Sequence, residues 1–324
     1  ERTTDGGLTW TATDTTRIKL VRRVMIEWGY AAQRLGHRFA ALLGLAGQQA
    51  AAPPATTGAP PVRAQVIHFL NKPMPRDLPR RTSRALLDVE DRRFIPVIRD
   101  PEKATDESEA VFYFPGCGSE RLFSQVGLAT QAMLYEIGSI CVLPPGYLCC
   151  GYPQTAAGEQ DRGVKIITDN RVLFHRVANT LNYLDIRTVI VSCGTCMDQL
   201  EKYEFEKIFP GCRLLDIHEY LLENGVKLEG VSGIRYLYHD PCHSPIKLHK
   251  PMNVVNGLLG GGVGLSERCC GESGTLSVSR PDISTQVRFR KEEELRRSMV
   301  ALADQGHRGP TKILTSCPSC LQGL

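Results

Sequence analysis

Residues 110–117 read AVFYFPGC: five consecutive apolar residues run into a Pro-Gly pair and then a cysteine. A run this short, rich in aromatic residues and closed by turn residues, reads as a buried strand rather than a helix. The same join of strand to cysteine recurs as TVIVSC at 188–193, IRYLYHDPC at 234–242 and TKILTSC at 311–317. In open α/β sheets the carboxyl ends of the strands form the ligand crevice, so Cys117, Cys193, Cys242 and Cys317 are expected to converge there. Each is followed by an expected helix or turn, whose backbone N–H groups favour a thiolate or an anionic cluster.

Working outward, the order of elements is laid down twice. Cys117, the vicinal pair Cys149 and Cys150 with Gly151, and the CGTC of Cys193 and Cys196 are answered by Cys242, by Cys269 and Cys270 with Gly271, and by the CPSC of Cys317 and Cys320. The offsets of 125 (117 to 242), 120 (149 to 269) and 124 (193 to 317) are too regular for chance and mark an internal duplication. Between the cysteines lie an amphipathic helix at 124–138, a strand at 139–143 (SICVL) and a long helix near 160–184. The second copy offers a helix near 251–259, a strand at 262–266 (GVGLS) and a helix near 282–301. Alternating strands and helices predict an α/β fold, with two pseudo-repeated parallel-sheet units at 110–230 and 231–324.

The first third of the chain is different. Ile18, Val21, Met25, Trp28, Ala32, Leu35, Phe39 and Leu42 fall on one stripe of a helix that Asp14 would cap, within a basic amphipathic region at 1–50. Arg17, Lys19, Arg22, Arg23, Arg34 and Arg38 flank the stripe, which suits either a membrane or partner surface or, preferred, docking onto the rest of a longer protein. AAPPATTGAPP at 51–61 reads as a polyproline-type linker, and the rest of 51–109 as a wrapping segment with one short helix around SRALLDVEDRR. The chain starts on Glu rather than Met and stops inside a motif, so a segment of a longer protein is expected.

Composition narrows the classes. The net charge is +4, but residues 1–84 hold 13 Lys/Arg against 5 Asp/Glu, leaving 26 against 30 in the remainder. The cysteine-bearing part is slightly acidic, which argues against nucleic acid as a partner. No run of eighteen apolar residues reads as a membrane span, and no secretory leader is apparent, so a cytoplasmic protein, lying at most against the inner face of a membrane, is expected. Twelve cysteines without a secretory address argue for reduced thiols with a chemical use; Cys141 and Cys212, outside the repeats, read as buried small apolar residues.

Three chemistries compete for the other ten. Adjacent cysteines are strained when bridged to each other, which disfavours disulfides. Zinc suits the CxxC pairs, yet a structural zinc closes with four ligands and each repeat offers five. Neighbouring side chains diverge from the backbone, so the vicinal pair serves two metal atoms more easily than one, as a polynuclear iron–sulfur cluster provides. The glycine after each pair allows close backbone approach or a positive φ.

These residues resemble the cysteine-rich CCG domain found in the CCG-bearing subunit of heterodisulfide reductase, in the iron–sulfur subunits of glycolate oxidase and anaerobic glycerol-3-phosphate dehydrogenase, and in lactate-utilisation proteins. The resemblance covers residues 110–324. It implies two iron–sulfur clusters of [4Fe-4S] type, noncubane in heterodisulfide reductase, with all five cysteines of a motif as ligands. The first would take Cys117, Cys149, Cys150, Cys193 and Cys196, and the second Cys242, Cys269, Cys270, Cys317 and Cys320. The gaps are uneven, with 26 residues between Cys242 and Cys269 but 42 and 46 between the vicinal pairs and the CxxC pairs, so an ordinary cubane in one repeat stays open. Together with the stretch at 71–101, the chain is similar to the C-terminal part of bacterial FAD-linked oxidases of the D-lactate dehydrogenase and glycolate oxidase type. That implies an oxidoreductase component that takes electrons from FAD on an upstream domain or partner subunit, beside a ferredoxin-like module, and passes them to a quinone, cytochrome or other acceptor. A self-contained disulfide or thiol reductase and a zinc-stabilised interaction module are the alternatives.

His239 and His243 flank Cys242 and suit either a hydrogen bond to cluster sulfur, a proton relay or a structural bond to backbone. Asp240 is expected to cap the following turn, and His175 and His218 to be ordinary helix residues. GGGVG at 260–264 precedes a strand and lacks both the GxGxxG order and a GKS/GKT ending, so it reads as a flexible connection rather than a phosphate loop.

Overall fold

The joins of strand to cysteine form as read in a computed structural model, which describes residues 20, 23–46, 62–71, 73, 74, 76, 78–228, 232–272 and 276–324. Ahead of the repeats lie a π-helical stretch (Arg23–Gly29), helices α1 (Tyr30–Leu42), α2 (Val62–Asn71) and α3 (Ser83–Leu86), and strand β1 (Val97–Ile98). The first repeat comprises β2 (Ala110–Phe114), α4 (Ser124–Glu136), β3 (Ile140–Val142), α5 (Tyr152–Ala156), α6 (Gln160–Thr180), β4 (Ile186–Val191) and α7 (Gly194–Leu200). A further strand and helix follow, β5 (Arg213–Asp216) and α8 (Ile217–Glu223). The second repeat comprises β6 (Arg235–His239), α9 (Pro251–Leu259), β7 (Gly264–Ser266), α10 (Leu276–Ser279), α11 (Pro281–Asp304), β8 (Thr311–Thr315) and α12 (Pro318–Gly323).

The fold is α/β. One sheet has the order β1-β3-β2-β4-β5, parallel except for β1, and the other the order β7-β6-β8, parallel throughout. The triplets β3-β2-β4 and β7-β6-β8 therefore share one topology, with the strand leading to the first cysteine in the middle. Strand alternation sorts the core: Phe112, Phe114, Val189 and Val191 pack with Phe174 and Val177 of α6 on one face, while Val111, Tyr113, Ile190 and Leu215 pack with Leu134 and Tyr220 on the other. With both faces covered, the strands need the near-continuous apolar runs that the sequence carries. The second core also takes in Tyr238, Ile246, Val254 and Leu258, and α8 packs against α9, so the two repeats share one apolar interior.

Several expectations are corrected. The strand β5 and helix α8, started by Asp216 Oδ1 accepting from His218 N–H at 2.9 Å, have no counterpart in the sequence reading, because RLLD is too short to stand out by periodicity. The wrapping segment contains α2 and β1 as well as the short helix, which is confined to Ser83–Leu86. The amphipathic stripe does not form the packed face of α1: Trp28, Leu35, Phe39 and Leu42 are exposed, and the helix instead buries Gln33 and Ala40. Polar anchoring decides this, since His37 Nδ1 donates to Leu70 O at 2.7 Å and Gln33 Oε1 accepts from Met74 N–H at 2.8 Å. Asp14, Ile18, Val21 and the linker at 51–61 lie outside the described residues. Among the described residues, no helix is long and apolar enough to cross a membrane.

Candidate metal centre

β2 and β6 end three residues before Cys117 and Cys242, and β4 and β8 end two residues before Cys193 and Cys317. The vicinal pairs come from the loops after β3 and β7, so all ten motif cysteines sit beyond the carboxyl ends of the two sheets. In the first set the thiols lie within hydrogen-bonding reach in the order Cys117, Cys149, Cys150, Cys196, Cys193. The second set repeats that order as Cys242, Cys269, Cys270, Cys320, Cys317, with the sulfurs of Cys270 and Cys320 at 3.3 Å. Cys193 and Cys317 also touch, joining the two sets into one row. Seven of the ten are buried, Cys117 and Cys269 are half-buried and Cys242 is exposed. Cys141 is buried in β3 and Cys212 half-buried, both away from the row.

The framework around the sulfurs is itself duplicated. Tyr113 and Ser192 share a hydroxyl–hydroxyl bond of 2.8 Å, and their counterparts Tyr238 and Ser316 one of 2.9 Å, each tying a central strand to the residue before the CxxC cysteine. The glycine of each CCG has a positive φ, 90° at Gly151 and 81° at Gly271, so the chain reverses directly after the vicinal pair, as the sequence suggests. Beyond these shared devices, each pair is held differently. Asn170 Nδ2 donates to Cys149 O at 2.8 Å and to the Tyr203 hydroxyl at 2.8 Å, and Tyr203 donates onward to Cys150 O at 2.9 Å. In the second repeat Ser284 donates to Gly271 O at 2.7 Å, and the Gly271 N–H points at Cys269 Sγ at 3.4 Å.

A profile of the cysteine-rich CCG domain matches residues 111–201 and again 236–324. The chain belongs to the CCG family. It is 29% identical over 216 residues to one subunit of the fumarate reductase (CoM/CoB) of Methanothermobacter marburgensis, covering 64% of this chain and 40% of that protein. It is 25% identical over 248 residues to the probable glycolate oxidase iron-sulfur subunit of Bacillus subtilis, covering 71% and 51%. It is 26% identical over 200 residues to lactate utilization protein A of an Exiguobacterium species, covering 55% and 77%. The chain thus spans about two fifths of the first of these relatives and about half of the second. No solved structure matches. The cysteine framework is that of iron–sulfur oxidoreductase modules.

Charge is distributed unevenly along the row of a CCG repeat. Donation from Cys149 and Cys196 lowers Cys150 to about 6. Donation from Cys242 and Cys270 lowers Cys269 to about 2, and donation from Cys193 and Cys320 holds Cys317 well below the ordinary thiol range. The donors move the other way: Cys149 accepts from Cys117, which lowers it, but donation to Cys150 and burial prevail and push it up to about 12. Negative charge therefore gathers on every third sulfur of the row, Cys150, Cys317 and Cys269, in the form in which thiols bind metal. Buried cations stand nearby. Arg84, from α3, pairs with Glu120 and donates to Pro144 O at 2.7 Å, while the Arg121 guanidinium lies 5.0 Å from the centre of the Tyr147 ring.

The flanking histidines differ from each other. His243 is engaged on both ring nitrogens, with Asp198 at Nδ1 and the Tyr152 hydroxyl at 3.0 Å from Nε2, and so has a positioning partner on each side. His239 is fully buried at the end of β6. Asp240 accepts from Ser244 Oγ at 2.7 Å, within the turn that the sequence has it cap. His218 bonds Asp216 at 2.7 Å, and Gly260, Gly261 and Gly262 all have positive φ in the connection before β7. Sequence reasoning missed Asn170, Tyr203 and Arg84, which no motif marks. It also missed the Tyr–Ser pairs, although aligning the two copies would have found them.

Proposed function

We propose that each CCG repeat holds one iron–sulfur cluster on its five cysteines, and that the chain is the electron-transfer module of a flavin-linked 2-hydroxy-acid dehydrogenase. The observation that carries this reading is the row of ten thiols, in the same order in both repeats and meeting at Cys193 and Cys317. Five mutually reachable sulfurs exceed the four that close a structural zinc site. The vicinal pairs suit a [4Fe-4S] cluster of noncubane form. Such clusters take up and release single electrons, matching a flavin that is reduced by two.

The protein's own part is to hold and insulate. The Tyr–Ser bonds fix the CxxC loops, Asn170 and Tyr203 fix the first vicinal pair, and burial keeps water from most of the row. Exposed Cys242 supports the second repeat as the side from which electrons leave. FAD would lie on an upstream domain or a partner subunit with a ferredoxin-like module, and the acceptor would be a quinone, a cytochrome or another carrier. The names of the glycolate oxidase and lactate utilization relatives support a D-lactate-like or glycolate-like substrate for the whole assembly. Exposed Trp28, Leu35 and Phe39 beside Arg34 and Arg38 support contact with a partner or with the inner face of a membrane in the cytoplasm.

The test is anaerobic purification followed by iron and acid-labile sulfide assay, then reduction by the flavoprotein partner with 2-hydroxy acids. Iron and sulfide in both repeats, with bleaching of the brown colour on adding substrate and flavoprotein, supports the reading; zinc alone would exclude it. The contact between the two sets also favours a second reading, reductive cleavage of a disulfide between the repeats, and the name of the fumarate reductase (CoM/CoB) relative points the same way. Disulfide turnover with a one-electron donor and no flavin would select it.

A further inference from the structure

The two repeats match residue for residue at the Tyr–Ser pairs, yet they differ at the last residue of the central strand. β2 ends on Phe114, and β6 ends at the equivalent place on His239. The His239 side chain is fully buried, and the neighbouring Ser266 backbone can serve only one of its ring nitrogens, so among the described residues at least one of Nδ1 and Nε2 has no hydrogen-bond partner. A ring nitrogen left unpaired in a closed interior is destabilising, because the hydrogen bond it gives up to water is not replaced. An apolar residue fits the same place in the first repeat, so packing alone does not require the histidine. Its ring nitrogen and the sulfurs of Cys270 and Cys320 lie within 4.8 Å of one another.

We propose that His239 gives a nitrogen ligand to the metal held by Cys270 and Cys320, making the second centre a mixed cysteine–histidine site and leaving the first all-cysteine. The inference rests on the iron–sulfur reading above. With metal–sulfur bonds of about 2.3 Å and metal–nitrogen bonds of about 2.0–2.1 Å, tetrahedral donors stand roughly 3.3–3.8 Å apart, so the three side chains reach one metal by small rotations. Ligation uses the neutral imidazole and needs no redox change. It also gives a partner to a buried polar atom that otherwise has none.

The test uses the full chain, labelled with ¹⁵N at histidine only, reconstituted anaerobically and assayed for iron and sulfide. Pulsed EPR is recorded in the oxidised and reduced forms. A nitrogen coupling of directly bonded strength that changes from the ¹⁴N to the ¹⁵N pattern on labelling, and is lost in His239→Phe but kept in His243→Phe, supports the assignment. His239→Phe carries the side chain that the first repeat already accommodates. Full iron and sulfide with no coupling in either form, with only a weak coupling of hydrogen-bond type, or with a coupling that survives His239→Phe, overturns the assignment and leaves the iron–sulfur reading standing. Absence of iron and sulfide overturns both.

Discussion

Tyr203→Phe isolates the geometry of the first vicinal pair without touching a thiol. The hydroxyl is buried, accepts from Asn170 Nδ2 at 2.8 Å and donates to Cys150 O at 2.9 Å. Removing it strands one donor hydrogen and one carbonyl in an interior closed to water, at about 1–3 kcal/mol each, so a loss of about 2–4 kcal/mol is expected. The ring stays in its aromatic stack with Phe174 and Phe205, so little apolar packing is lost. Asn170→Ala should cost a similar amount. The double variant should cost clearly less than the sum, because both act through one network. Urea denaturation of the three variants measures the coupling, and iron per chain after anaerobic reconstitution reads the consequence. Iron should fall at the first centre alone, since the second pair is held through Ser284 and Gly271. Additive stability losses, or equal iron loss at both centres, would refute the idea that this network positions Cys149 and Cys150.

Other expectations follow from the same geometry. A Cβ on Gly194 would sit 1.7 Å from His243 O, so Gly194→Ala must force the two backbones apart by about 1.5 Å or more, costing at least about 1–3 kcal/mol and separating Cys193 from Cys317; thermal denaturation and the magnetic interaction between centres report it. Cys150→Ser and Cys270→Ser should each lower bound iron, and unchanged iron in both would remove the vicinal pair from the ligand set. His218 is lowered by burial but raised more by the Asp216 carboxylate, so its pKa lies above the ordinary 6.5. Its stabilising contribution is therefore complete below about pH 6.5 and disappears as pH rises through the folded pKa. The stability deficit of His218→Gln should be larger at pH 6 than at pH 9, and a pH-independent deficit would contradict the ion pair.

Local patterns are enough to read the α/β class, the duplication and the placing of cysteines just beyond strand ends, because a short apolar run, a turn residue and a repeat offset are properties of neighbours in the chain. Residues such as Asn170 and Tyr203 give no such sign: a helix asparagine and a tyrosine 33 positions later become partners only once α6 is laid across the sheet. The stripe around Trp28 is periodic and still ends on the surface, since periodicity marks a face but not what covers it. The amino-acid order alone made ten thiols available in two sets of five. Only the strand order β3-β2-β4 and β7-β6-β8, and the docking of one triplet against the other, aligned them into a single row with His239 beside Cys270 and Cys320. Contacts between loops from different strands depend on sheet order and register, which no single segment encodes.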